Sequence, residues 1–117
     1  MTDPLPPIED FEITPGKLLP LLNSQPAGIR LIDCREEDEF AICRIEGADL
    51  MPLSRFAEEA PRRLQNETLP IVVYCHHGMR SLQATNFLRN QGIEKVWSLN
   101  GGIDRWSLEI DESVPRY

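Results

Sequence analysis

The stretch LPIVVYCHHGMRSLQATNFLRNQG, residues 69–92, decides the fold. Ile71, Val72, Val73 and Tyr74 stand in a row with no polar alternation. A strand that is apolar on both sides is what the centre of a parallel sheet requires. The second half has a different period. Ser81, Ala84, Thr85 and Leu88 fall at i, i+3, i+4 and i+7, with Phe87 widening the face and Gly92 as the stop signal. A central strand therefore turns directly into a helix. The turn holds Cys75, two histidines, Gly78 and Arg80. The residues alone leave three roles open for Cys75: a nucleophile, one ligand of a metal site, or a buried thiol.

Moving outward, the same alternation recurs. FEITPGKLLPLLNS reads as a short strand and then a helix, with Pro15 at the helix start, where its missing N–H costs nothing. Leu18, Leu19 and Leu22 supply its apolar face. GIRLIDCR gives a strand over Ile29–Asp33. EEDEFAI opens a helix with carboxylates, which complement the positive end of its dipole, and Glu36, Glu37 and Asp38 read as a solvated acidic start. IEGADLMPL reads as a turn at Gly47 and a very short strand. SRFAEEAPRRLQN reads as a helix broken or restarted at Pro61, with Phe56, Ala57 and Ala60 on one face and Leu64 on the next turn. KVWSL is a further strand, and NGGIDRW is a glycine turn leading into a short helix with Trp106. Strands alternating with helices about five times predict a mostly parallel α/β sheet of about five strands with helices on both faces.

Length and composition bound the rest. At 117 residues and 41% hydrophobic, the chain suits one domain with one core. Residues 8–108 are expected to form it, with 1–7 and 109–117 as flexible or peripheral tails. The acidic, Pro-rich start MTDPLPPIED has neither the basic nor the apolar segment of a secretory signal, and no stretch reaches the ~20 apolar residues of a membrane span. A cytoplasmic location is the expectation. A net charge of −7 argues against nucleic-acid or anionic-membrane partners. Cys34, Cys43 and Cys75 are odd in number and form no CxxC, which disfavours a disulfide scaffold and a structural zinc site.

The order strand–Cys75–turn–helix sharpens the role of the thiol. Ligands of open α/β sheets sit beyond the carboxyl ends of the strands. Gly78 permits the tight turn, and the loop amides with the helix start form an anion cradle. A helix N-terminus and a nearby arginine lower a thiol pKa from its usual ~8.5. Arg80 and Arg35 are the candidate cations. A zinc site built on Cys75, His76 and His77 needs three consecutive residues to converge on one ion, so the histidines read better as rim residues than as ligands.

At this point the chain resembles the single-domain rhodaneses, a family of sulfurtransferases, over roughly Ile8 to Trp106. LIDCREEDEF followed by IEGA is similar to the family's Asp-x-Arg, Glu and Ile-x-Gly-Ala block. VVYCHHGMRS is similar to its Cys-x-x-Gly-x-Arg-Ser loop, and LNGGIDRW to its Gly-Gly-x-x-x-Trp block. One block departs: Cys43-Arg44-Ile45 stands where many members have Gly-His-Ile. The added Cys43 reads as incidental, and Cys34 as a buried core thiol.

The resemblance implies a rhodanese-like fold and a ping-pong reaction. Cys75 attacks the outer sulfur of a small anionic donor such as thiosulfate and holds it as a persulfide. A thiophilic acceptor, cyanide in vitro or a thiol in vivo, then removes it; a thioredoxin-like or other carrier protein fits that role. The amides of His76, His77, Gly78, Met79, Arg80 and Ser81 are expected to cradle the persulfide, with Arg80 closing the loop. Asp33 and Arg35 are expected to brace it, with Asp33 paired to Arg80, and His76, His77 and Met79 to line the mouth. No cofactor and no metal are expected. The alternatives are a sulfur-relay or binding module with low free turnover and, less favoured, a cysteine-based phosphatase or arsenate reductase. Those enzymes have Cys-x5-Arg, whereas Cys75 to Arg80 is Cys-x4-Arg, a ring better sized for one sulfur than for a phosphate.

Overall fold

A computed structural model describes residues 5–24 and 28–117. Residues 1–4, part of the expected N-terminal tail, lie outside the described residues. The elements run β1 (Glu12–Ile13), α1 (Pro15–Asn23), β2 (Arg30–Asp33), α2 (Glu37–Ile42), β3 (Asp49–Leu50), α3 (Leu53–Leu64), β4 (Ile71–Tyr74), α4 (Met79–Asn90), β5 (Val96–Leu99) and α5 (Gly102–Glu109). The sheet order is β1-β5-β4-β2-β3, and every pairing is parallel.

The unbroken apolar run of β4 feeds two cores at once, because alternate residues of a strand face opposite sides. Val72 and Tyr74 join Leu31, Trp97 and Leu99 from the sheet, Leu18 from α1, and Ile103 and Trp106 from α5. Ile71, Val73 and Cys75 join Ile32, Cys34 and Val96, with Phe56, Ala60 and Leu64 from α3 and Ala84 and Leu88 from α4. Helices thus cover both faces, and the two cores together hold β4 at the sheet centre. Burying one such aliphatic or aromatic side chain stabilises the fold by ~1.5–3 kcal/mol.

Three expectations need correction. Pro61 does not break its helix; α3 continues through it. The carbonyl deprived of a helical donor belongs to Ala57, which is exposed and can be hydrated. Ala57 accordingly lies off the buried face, which is Phe56, Ala60 and Leu64 at a spacing of four. The expected tails are also tied down. Trp97 Nε1 donates to Pro7 O at 3.3 Å, and Arg89 donates to Ile8 O and Asp10 O, both at 2.8 Å. At the other end Val114 enters the core beside Trp106, and Ser107 Oγ donates to Val114 O at 2.6 Å.

The acidic start of α2 does more than meet solvent. Glu36 accepts from Ser54 Oγ at 2.7 Å, and Glu37 meets Arg55 at 3.2 Å, so α2 is fastened to α3. Among the described residues, no helix is long and apolar enough to cross a membrane.

Candidate active site

The chain leaves β4 at Cys75 and enters α4 at Met79. Gly78 makes that possible at φ +107°, a left-handed conformation that side chains disfavour. The turn aims donors back at the sulfur. Gly78 N–H donates to Cys75 Sγ at 3.1 Å and Ser81 N–H at 3.4 Å. Ser81 Oγ lies 3.4 Å from Sγ, 3.2 Å from Gly78 O and 2.7 Å from Ser98 Oγ. When Ser98 donates to Ser81, the single Ser81 proton is shared between Gly78 O and the sulfur.

These donors favour the thiolate. The Cys75 pKa is lowered to about 5, first by the Cys34 thiol, then by the Ser81 hydroxyl and the Ser81 and Gly78 amides, against the opposing effect of burial. Cys75 is only 1% exposed, so whatever reaches it must be small.

A second glycine turn holds this loop from behind. Gly102 sits at φ +61°, and a Cβ there would lie 2.4 Å from His76 O and 2.5 Å from Cys75 O. Its absence lets the start of α5 close in. Ile103 N–H donates to Cys75 O at 2.9 Å and Asp104 N–H to His76 O at 3.1 Å. The amides of α4 serve the sulfur, while those of α5 serve the loop's carbonyls.

The two arginines divide differently from expectation. Asp33 pairs with Arg35, not Arg80: Arg35 Nη2 lies 2.7 Å from Asp33 Oδ2, with both side chains fully buried. Arg35 also donates to Cys43 O at 2.6 Å, Glu39 O at 3.3 Å and the Tyr117 hydroxyl at 3.0 Å. It braces α2 and the segment after it, not the Cys75 loop. Strand parity explains this. Asp33 is the register partner of Tyr74, so Asp33 and Arg35 take the face opposite Cys75. Arg80 instead grips Glu39 with both Nη atoms, at 2.7 and 2.9 Å. That fork closes the loop against α2, as a bidentate guanidinium–carboxylate pair does. It also holds Glu39 ionised, with a pKa lowered to about 2.

At the mouth, the His76 ring is stacked between His77, 3.8 Å between centroids, and Tyr117, 3.9 Å. Burial, then the neighbouring His77, lowers the His76 pKa. Met79 projects outward, 74% exposed. His76, His77 and Asp104 each offer a ligand atom within 4.8 Å of the others. Asp104 already takes Arg116 Nε at 2.8 Å.

Of the residues singled out from sequence, Cys75, Gly78 and Ser81 converge on the sulfur and His76, His77 and Met79 form the rim. Among the described residues, only the Gly78 and Ser81 amides donate to Sγ. Glu39, Tyr117, Ser98 and Cys34 were not anticipated. Glu39 had a signal, as the fourth carboxylate before an apolar run, and so did Ser98, the one hydroxyl in VWSL. Tyr117 had none.

The fold and the loop define a class of protein: a parallel α/β domain that holds a cysteine sulfur against backbone amides at the end of its central strand. The family model of the rhodanese-like domain matches residues 14–109, and the chain belongs to that family. It is 34% identical over 103 residues to the thiosulfate sulfurtransferase GlpE of Haemophilus influenzae, covering 86% of this chain and 93% of that one. It is 38% identical over 90 residues to the chloroplastic rhodanese-like/PpiC domain-containing protein 12 of Arabidopsis thaliana, covering 75% of this chain but only 30% of the relative's length. The crystal structure of a rhodanese-related protein from Thermoplasma volcanium superposes with a TM-score of 0.71 at 26% identity, covering 89% and 94% of the two chains.

Proposed function

We propose that this chain is a sulfurtransferase that carries a sulfane sulfur on Cys75, taking it from a small anionic donor such as thiosulfate and passing it to a thiol. The observation that carries the reading is a buried Cys75 sulfur that faces two backbone amides and a hydroxyl. In the first step the thiolate attacks the outer sulfur of thiosulfate, forming the S–S bond of a persulfide and releasing sulfite. The same donors then stabilise the negative charge of the persulfide. In the second step an acceptor thiolate attacks the outer sulfur and Cys75 leaves as a thiolate, which its low pKa favours. The rim of His76, His77 and Met79 selects what enters.

The size of the cradle favours sulfur over phosphate. Four residues separate Cys75 from Arg80, and Arg80 is spent on Glu39. A phosphate needs more donors than the two amides aimed here. The test is the intact mass of the protein after incubation with thiosulfate. A gain of roughly 32 Da, one sulfur, is expected in the wild type and is absent in Cys75→Ser. No adduct with thiosulfate or with other persulfide donors sinks the reading.

A further inference from the structure

The transfer just proposed uses Cys34 only as a neighbour that lowers the Cys75 pKa, yet the fold sets it beside Cys75. Asp33 and Tyr74 are register partners in the β2–β4 pair, and the ladder runs one rung further: Cys34 N–H donates to Tyr74 O at 3.0 Å. Adjacent strands lie ~4.8 Å apart, within the ~4.4–6.8 Å between Cα atoms that a disulfide spans. Residues on one rung point to one face, and both cysteines sit in the core cluster of Ile32 and Val73. Both are buried. The Cys34 thiol is also the foremost influence lowering the Cys75 pKa. Once Cys75 carries sulfur, Sγ becomes the inner sulfur of the persulfide. Cys43 is not a competitor by position, because its sulfur belongs to the opposite core, 3.8 Å from Arg35 Nη1.

We propose that Cys34 is a resolving thiol that attacks Sγ of the Cys75 persulfide, forming a Cys34–Cys75 disulfide and expelling the carried sulfur as hydrosulfide. The inference rests on the sulfurtransferase reading. One S–S bond forms and one breaks. The two cysteine sulfurs end as a disulfide, the carried sulfur leaves at the oxidation level of sulfide, and the Cys34 proton departs on it. A dithiol or two low-molecular-weight thiols must then reduce the disulfide. The net reaction turns thiosulfate and two thiols into sulfite, hydrosulfide and a disulfide. The step is gated by occupancy. While Cys75 is a free thiolate, the neighbouring Cys75 sulfur, burial and the Cys75 charge all hold Cys34 protonated. Loading Cys75 shifts that charge outward by one atom.

The test mixes the reduced, desalted full chain with thiosulfate in the absence of any added thiol. Sulfite, sulfide, intact mass and the disulfide-linked peptides are then measured. The wild type is expected to release sulfite and then an equal amount of sulfide. It should end about 2 Da lighter than the reduced chain, the loss of two hydrogens on forming one S–S bond, with Cys34 joined to Cys75. Cys34→Ser and Cys34→Ala are expected to stop at the persulfide, roughly 32 Da heavier, with no sulfide. Sulfite release with a wild type that stays at the persulfide mass overturns the inference and leaves the sulfur-transfer reading standing. A bridge to Cys43 also overturns it. Absence of sulfite removes both.

Discussion

β2 and β4 run side by side in register, and their ends are put to opposite uses. At the end of β4 the Gly78 and Ser81 amides and the Ser81 hydroxyl are turned onto the Cys75 sulfur. At the end of β2, Asp33 and Arg35 consume each other and several carbonyls, with nothing left over. The difference follows from parity. Even-numbered Cys34 falls on the face of odd-numbered Cys75 because the register pairs Asp33 with Tyr74. Asp33 and Arg35 are sent to the other face, where they hold the scaffold. A motif read as one functional block, Asp-x-Arg, is thus a brace with a thiol inserted between its two halves.

The contrast can be broken at either strand end. The largest expected effect is on stability, from Arg35→Met. It leaves the Asp33 carboxylate buried without its partner, which costs about 3–5 kcal/mol. The midpoint of urea unfolding should fall sharply, and Asp33→Asn added to it should restore part of the loss. An Arg35→Met chain of unchanged stability that had lost sulfur transfer would reverse the division of labour.

At the β4 end, Ser81→Ala should act on the thiolate, and on the fold by the ~1–3 kcal/mol of leaving the buried Ser98 hydroxyl without its partner. A hydrogen bond to a charged group contributes ~1.5–3 kcal/mol, or about one pKa unit or more. The thiolate ultraviolet absorbance, read as wild type minus Cys75→Ser, should titrate near pH 5. Persulfide formation should therefore be level at neutral pH and fall as pH drops through that value. Ser81→Ala should raise the midpoint; an unmoved midpoint removes the hydroxyl from the cradle.

The smallest effect belongs to Glu39, which links the two regions. Its pKa is lowered in the folded state, so its contribution to stability is present above the unfolded carboxylate range and is lost as pH falls toward about 2. Arg80 is a third exposed, so solvent screening reduces that contribution. Glu39→Gln should flatten the stability profile between roughly pH 4.5 and 2.5, measured by thermal melts. A mutant profile as steep as the wild type assigns the acid lability to other carboxylates.

The sequence made the repeating parts of the molecule legible. Ile71–Tyr74 announced a central strand because both of its faces are apolar, and Ser81, Ala84, Thr85 and Leu88 announced the buried face of α4, as observed. The turn at Gly78 and the donors at Gly78 and Ser81 were also readable, because loop and helix start are contiguous with Cys75. The links that were missed join residues far apart in sequence. Glu39 reaches Arg80 across 41 positions and Tyr117 across 78. No periodicity encodes such pairs. The pairing of Asp33 with Arg80 failed because the motif does not tell which face each residue takes; only the register of β2 on β4 does. The contacts of the C-terminal segment were not legible for a related reason, since Val114 and Tyr117 are isolated apolar residues in a polar stretch.

The closure of α5 onto the Cys75 loop has a consequence for redesign. The carbonyls of Cys75 and His76 are fixed to the amides of Ile103 and Asp104, and Gly78 faces the backbone of Gly101 at a would-be Cβ distance of 3.3 Å. An added residue between Cys75 and Arg80 has no slack to occupy. It must either pull the loop off α5 or drag Arg80 away from Glu39. Enlarging the ring to suit a bulkier anion is therefore a problem of three elements moving together, and a one-residue insertion addresses only the first of them.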